Sequence, residues 1–156
     1  MGEHYVSHTK QFIDDLVTII SGDANWGAGN DFGVKPRISK KHERKVTGFG
    51  KIKAEDILIY ADLEQIKPFA LGLGISPSSS WYHTMSATIE VKSNVSDSRA
   101  DFLVDAVIDI LKRNVTYSGY VQILPISTKN RSDESRGEFR WIIDVRGEKY
   151  APTRTI

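Results

Sequence analysis

The chain has 156 residues, of which 40% are hydrophobic and 26% charged, which is enough for one core of good size and too little for two. Its formal charge of +1 excludes a general attraction to nucleic acid or membranes, so contact with a polyanion would need a local basic patch. The absence of cysteine excludes disulfides and thiolate metal sites, and we expect a single domain over residues 1–156.

Residues 1–22 predict an N-terminal helix. Apolar side chains recur there at helical spacing, Ser7 can cap the start, and Gly22 can end the helix. The first residues lack the basic and apolar regions of a signal peptide, and no apolar run approaches the roughly 18 residues that span a bilayer. We therefore expect an intracellular, soluble product. The expected buried stripe is Phe12, Ile13, Leu16, Val17, Ile19 and Ile20.

Residues 23–50 predict a long Gly-rich basic loop with little regular structure, apart from a short extended piece near Val34 to Ile38. A loop of this length in a compact domain is normally functional or ordered by a partner. No aromatic residue is interleaved among its cations, which argues against a site for single-stranded nucleic acid. Six basic residues could meet phosphates or acidic side chains: Lys35, Arg37, Lys40, Lys41, Arg44 and Lys45.

Residues 51–150 predict the sheet-helix core of the domain, and residues 151–156 a tail. The first strand expected there is Asp56–Ala61, with a mostly apolar sequence. Beyond it, Pro68 and the glycines among residues 72–74 interrupt any periodic pattern. We therefore expect irregular chain between this strand and the next.

The longest periodic stretch runs from Trp81 to Arg113. Up to Lys92 apolar and polar residues alternate, which predicts a long strand with one buried face. After a polar break the period becomes helical, which predicts a helix that begins at Ser96 or Asp97. This helix should fold back and cover the apolar face of the strand.

Two further strands complete the expected sheet. Tyr120–Ile126 contains Pro125, which indicates an edge strand or a bulge. Thr128–Arg136 is entirely polar and predicts a hairpin-like excursion before the last strand, Glu138–Tyr150. The whole pattern predicts an α+β domain with a mixed or antiparallel four-stranded sheet, two helices on one face and a long N-terminal loop.

The sharpest enzymatic candidate is the pair Glu90 and Lys92 on the central strand. E-x-K spacing puts a carboxylate and an ammonium on one strand face, where they could hold a divalent cation and stabilise a developing oxyanion. The pair resembles the second half of the PD-(D/E)xK nuclease motif, whose metal site is completed by an aspartate of the preceding strand, here Asp56 or Asp62. No proline precedes either aspartate as it does in that family. The plainer alternative is a cross-strand ion pair with Arg140 or Arg146.

The histidines predict no catalytic site. His4 and His8 have the i, i+4 spacing of a helical metal clip, but no third ligand lies nearby in the sequence. His83 falls on the apolar strand face, which is typical of a core histidine. The chain also lacks a Ser-His-Asp signature and a phosphate-binding loop. We expect no catalytic residue, no cofactor and no metal.

A line of aspartates runs along the long helix beside its apolar stripe. Like charges four residues apart repel by about 0.2–0.5 kcal/mol per pair, so an isolated subunit gains nothing from this line. The basic loop of a neighbouring copy would neutralise it, which predicts an interface between copies of the chain. The acidic side of that interface is Asp97, Asp101, Asp105 and Asp109, and the basic side is the set of six cations between residues 35 and 45.

Four segments in order resemble the tail-terminator and tail-completion proteins of tailed phages and archaeal tailed viruses. They are the strand ATIEVKS, the helix SRADFLVDAVIDILKRN, the edge strand YVQILPI and the closing strand RWIIDVRGEKY. The preceding IYADLEQIKPFALGLG, leading into SWYHTMSATIEV, is similar to versions from archaeal tailed viruses. The resemblance spans about residues 56–150 and depends on element order and patterning; the loop around Trp26 has no counterpart.

The resemblance implies an α+β subunit of a homo-oligomeric ring, usually a hexamer, which closes the tail tube where it meets the head connector. Such rings join one surface patch to a different patch of the next copy. The implied partners are further copies, the tail-tube protein and the head–tail connector protein, with transient non-specific contact with passing DNA and no membrane. The implied location is the virion tail or neck, assembled in the host cytoplasm. Two alternatives remain: a metal-dependent nuclease, and a nucleic-acid-binding adaptor module.

Overall fold

The computed structural model of the chain describes residues 8–40, 55–68, 81–133, 135 and 137–151. Neither of its described helices combines the length and the apolar character needed to cross a membrane. The predicted helix cap Ser7 and the predicted metal-clip residue His4 lie outside the described residues. The elements are α1 (His8–Ser21), β1 (Arg37–Lys40), β2 (Glu55–Pro68), β3 (Trp81–Ser93), α2 (Asp97–Arg113), β4 (Gln122–Asn130) and β5 (Phe139–Ala151).

The five described strands form one mixed sheet in the order β1-β2-β3-β5-β4. β1 pairs parallel with β2, and the other neighbours pair antiparallel. β3 is central because its whole length pairs with β2 on one side and with β5 on the other. The predicted α+β class and mixed sheet are confirmed. The sheet has one strand more than predicted, because the extended piece near Val34 to Ile38 joins it as β1.

Both helices pack on the same sheet face, as predicted. α1 lies over β1, β2 and β3, α2 lies over β3, β4 and β5, and the two helices contact each other. Their apolar stripes and the inward side chains of the strands form one buried cluster, with Val17 packed at its margin. The largest fully buried side chains are Phe12, Leu16, Ile20, Ile57, Ile59, Met85, Ile89, Leu103, Ile110, Leu111, Ile123 and Ile143.

β2 continues through a region for which the sequence predicts irregular chain. It runs from Glu55 to Pro68, so the prediction that this strand ends at Ala61 was wrong. A register shift just after Ala61 inserts a bulge at Asp62. The bulge lets the rest of β2 stay paired with the first half of β3, whose backbone groups would otherwise lack strand partners on that side.

β4 also runs past its predicted end. Its edge position and a register shift next to Pro125 are confirmed. The predicted polar excursion was wrong for Thr128 to Asn130, which stay paired with β5. An isolated bridge between Asp133 and Glu138 then marks the turn into β5. Backbone pairing with a long, fixed neighbour has therefore overridden the polar side-chain pattern.

Residues 22–34 form an ordered loop against the end of α1. Trp26 is buried, donates its indole N–H to the Ile20 carbonyl at 2.7 Å, and packs edge-on against Phe32. The predicted lack of regular structure is correct here, but the sequence pattern did not reveal how closely the loop packs. Its tight path requires positive φ at three positions where glycine carries no steric penalty: Gly27, Gly29 and Gly33.

Arg99 connects α2, to which it belongs, with this loop and with β2. Its Nε and Nη2 atoms lie 2.5 Å and 3.1 Å from the two carboxylate oxygens of Glu55. The same guanidinium donates to the carbonyls of Phe32 at 3.3 Å and Val34 at 3.2 Å. The planar fork of arginine suits such a set of acceptors, and lysine has no equivalent geometry. Arg99 therefore fixes where the loop leaves the core.

We expect Gly147→Ala to destabilise the fold by about 1–3 kcal/mol, because the site is already filled. A Cβ at this position of β5 would lie 2.5 Å from Cε1 of Phe12 in α1, far inside van der Waals contact. Urea unfolding followed by tryptophan fluorescence measures the loss. The exposed neighbour Arg146→Ala should stay close to wild type, and adding Phe12→Leu to Gly147→Ala should restore part of the loss. A Gly147→Ala variant as stable as wild type would contradict this packing.

Candidate functional site

α2 presents the predicted acidic line to solvent. Ser96 caps the start of this helix, and its hydroxyl accepts a hydrogen bond from the backbone N–H of Arg99 at 3.1 Å. All four aspartates are exposed, and Asp109 pairs with Arg113 at 3.0 Å. Three others have no ion-pair partner within the part of the chain that the structure describes: Asp97, Asp101 and Asp105. The charge of this line is thus largely uncompensated by the described residues.

A groove lies between α2 and the β4 side of the sheet. Its volume is about 280 Å³, close to the lower end of the roughly 300–1,000 Å³ typical of small-molecule sites. Space of this size suits one or two side chains better than a large ligand. Carboxylates form the helix rim and apolar groups the floor. The lining residues are Asp101, Val104, Asp105, Ile108, Thr128 and Trp141.

Two of the predicted basic interface residues are paired within the subunit. Arg37 binds Asp56 at 2.9 Å, and this hydrogen bond raises the pKa of Arg37. Lys40 binds Asp14 of α1 at 2.6 Å. Lys35 is exposed and has no ion pair among the described residues. The remaining three predicted cations, Lys41, Arg44 and Lys45, lie outside the described residues.

Glu90 and Lys92 lie on the sheet face opposite the helices, and Asp56 is the direct β2 neighbour of Lys92. Oε1 of Glu90 lies 3.5 Å from Nε of Arg140, one of the two predicted ion-pair partners. The side chains of Asp56 and Glu90 are 0% and 8% exposed. Each carboxylate is therefore buried and faces a partly exposed arginine, which favours an ion-pair role over metal binding.

Asp62 does not join this arrangement. It is exposed on the bulge of β2. Across residues 8–40, 55–68, 81–133, 135 and 137–151, no group of three or more His, Asp or Glu side chains is arranged to hold a metal ion. Of the two candidate aspartates, the structure thus brings only Asp56 to the E-x-K pair.

A buried polar cluster lies under the start of α1, and the sequence did not predict that its residues lie together. His83 is fully buried, as predicted for a core histidine, and its ring centre lies 4.3 Å from that of His8. Nδ1 of His83 lies 3.1 Å from Oε1 of Glu64, and the Thr9 hydroxyl donates to Oε2 of Glu64 at 2.5 Å. Burial alone would raise the pKa of Glu64, but these hydrogen bonds and the two imidazoles lower it below its ordinary value.

Lys149 and Tyr120 extend the cluster along α1. Lys149 is the β5 neighbour of His83, and burial lowers its pKa against the attraction of Asp15 and Glu64. Its ammonium lies 5.4 Å from the ring centre of Tyr120. The Tyr120 hydroxyl donates to Asp15 at 2.5 Å, and burial together with this bond raises the pKa of Tyr120. The cluster ties α1 to β2, β5 and the residues before β4. Its geometry therefore indicates that it fixes the position of α1 on the sheet.

No protein-family model matches the chain, and no curated protein matches it at a significant level. The acidic line, the groove and the strand-face carboxylates therefore carry the functional argument. The resemblance to tail proteins stays a prediction from the sequence.

We expect Glu64→Gln to lower the free energy of unfolding by about 1 kcal/mol or more at neutral pH, because a charge-assisted hydrogen bond is lost. Since the native pKa of Glu64 lies below the unfolded value of 4.5, its stabilising effect is complete above that value and disappears as pH falls through the native pKa. The variant should therefore lose less additional stability on acidification than wild type. Urea unfolding over a pH series measures this, with the exposed Asp62→Asn as control. Parallel acid profiles for Glu64→Gln and wild type would contradict the assignment.

Proposed function

We propose that the protein is a structural subunit of a homo-oligomeric ring at the tube end or neck of a virus-like tail, as a tail terminator or tail-completion protein. The exposed acidic line of α2 is the observation that supports this most. Asp97, Asp101 and Asp105 stand at four-residue intervals without an ion-pair partner among the described residues. The carboxylates of such a line repel each other within one copy, and cations of a neighbouring copy would relieve that repulsion.

The two charged surfaces differ, so copies would join head to tail. A head-to-tail contact generates a ring when its rotation closes and a filament when it does not. The resemblance supports closure, and it alone supports contacts with a tail-tube protein, a connector protein and passing DNA. An adaptor module for nucleic acid has only the basic stretch in its favour, and Arg37 and Lys40 of that stretch already pair within the subunit.

Analytical ultracentrifugation should show association that rises with protein concentration and falls with added salt, since salt screens contacts between exposed charges. We expect Asp101→Asn with Asp105→Asn to weaken this association at least about tenfold, equivalent to ~1.4 kcal/mol. Asp62→Asn removes an exposed carboxylate elsewhere and should leave association unchanged. Wild-type protein that stays monomeric at low salt and high concentration would count against the ring.

A metal-dependent nuclease is the second candidate, since Asp56, Glu90 and Lys92 do share one sheet face. The ion pairs of Asp56 with Arg37 and of Glu90 with Arg140 argue against it, because a metal would have to displace both arginines. The same geometry supports a different role for these carboxylates, namely to neutralise arginines on the outer face of the sheet.

We expect no DNA cleavage with Mg²⁺ or Mn²⁺, and a loss of stability in Glu90→Gln because Arg140 loses its charged partner. The measurements are a plasmid-nicking assay and urea unfolding with and without each metal. Lys92→Ala serves as the matched variant for the E-x-K pair. Cleavage that requires a metal and disappears in Glu90→Gln and Lys92→Ala would establish the nuclease instead.

A further inference from the structure

Val34 and Lys35 form an exposed knob where the ordered loop of residues 22–34 leads into β1. Val34 is 64% exposed, the highest value among the large hydrophobic residues described, and Lys35 is exposed beside it. The knob is held from both sides. Gly33 makes the turn before it with φ 71°, and the side chain of Pro36 after it is buried. An apolar side chain and a cation are thus presented together on a fixed piece of backbone.

The contacts of Arg99 make this knob a preformed feature. Its guanidinium donates to the carbonyls of Val34 and Phe32 and is anchored by Glu55. Backbone held in this way loses little conformational freedom when a partner binds. An exposed valine on an ordered loop therefore offers apolar contact at low entropic cost.

The groove between α2 and the β4 side of the sheet has the complementary chemistry. Its floor is apolar, from Val104, Ile108 and Trp141, and its helix rim carries Asp101 and Asp105. A valine side chain would cover the floor, while an adjacent ammonium would meet the two carboxylates. The aromatic face of Trp141 can add a cation–π contact.

The knob and the groove lie on opposite flanks of α2. At roughly 100° per residue, the nine positions from Arg99 to Ile108 turn the helix about 180° away. Arg99 contacts the knob, and Ile108 lines the groove. A subunit therefore cannot place its own knob in its own groove, whereas two copies side by side can.

We propose that the Val34–Lys35 knob of one copy binds the Asp101–Asp105 groove of the next copy. This inference rests on the proposed ring and names the contact that would build it. It predicts a heterologous interface in which every copy contributes a knob on one side and a groove on the other.

Cysteine cross-linking tests the contact directly, because the chain contains no cysteine of its own. Val34→Cys and Thr128→Cys are made in separate chains, since Thr128 is an exposed residue of the groove rim. Under mild oxidation at low salt, the mixed sample should give a disulfide-linked heterodimer, and each variant alone should give little dimer. Val95→Cys, 59% exposed beyond the end of β3, replaces Val34→Cys as the matched control and should not cross-link to Thr128→Cys.

A charge exchange provides the second arm. Lys35→Glu alone and Asp101→Lys with Asp105→Lys alone should each associate at least tenfold more weakly than wild type. Mixing the two should restore association, because each knob then faces a groove of opposite charge. Ultracentrifugation of the separate and mixed samples measures the effect.

The outcomes separate the knob contact from the ring itself. Association without the Val34–Thr128 cross-link, or unchanged by the charge reversals, overturns the knob contact and leaves the ring. Equal cross-linking of Val34→Cys with itself also overturns it, because the interface would then be isologous. Monomeric wild-type protein under all conditions overturns both.

Discussion

The bidentate contact between Arg99 and Glu55 fixes how the loop of residues 22–34 lies against α2 and the start of β2. α2 would pack on β3, β4 and β5 through apolar side chains without it, but apolar packing does not fix the course of a glycine-rich loop. Arg99 does so with the two donors that it directs at the carbonyls of Phe32 and Val34. One side chain thus relates three parts of the chain that lie far apart in sequence.

Charged side chains of the described residues include two groups: those that pair within the subunit, and those that are exposed without an ion pair. On the outer sheet face, the buried carboxylates of Asp56 and Glu90 pair with partly exposed arginines. Under α1, Glu64 and Asp15 accept bonds from a histidine, a threonine and a tyrosine. The aspartates of α2 are different, since three of them keep their charge exposed without an ion pair among the described residues. Among the described residues, α2 thus presents a row of like charges along one helix face.

The sequence allowed the long regular elements to be predicted, since β3, α2 and β5 each have a clear hydrophobic period. The buried position of His83 followed from the same alternation. Prediction failed where pairing overrides local pattern. The second half of β2 has no clean period and ends in a proline, yet it remains a strand because β3 extends beside it. No local pattern reveals the roles of Glu64 and Arg99, because these roles depend on residues 19 and 44 positions away, respectively.

The candidate site was predictable to a similar degree. The acidic line followed from four-residue spacing, and its exposure agrees with that prediction. The groove could not have been predicted, because Trp141 and Thr128 meet α2 only through the strand order β3-β5-β4. The internal pairing of Arg37 with Asp56 likewise depends on β1 lying parallel beside β2.

The two outer strands of the sheet are poorly suited to accept another strand. β1 has four residues within the described part of the chain, and β4 carries Pro125, which has no N–H to donate, together with Lys129. Aggregation by pairing between the edge strands of different molecules, which exposed sheet edges usually favour, is therefore disfavoured even at high protein concentration.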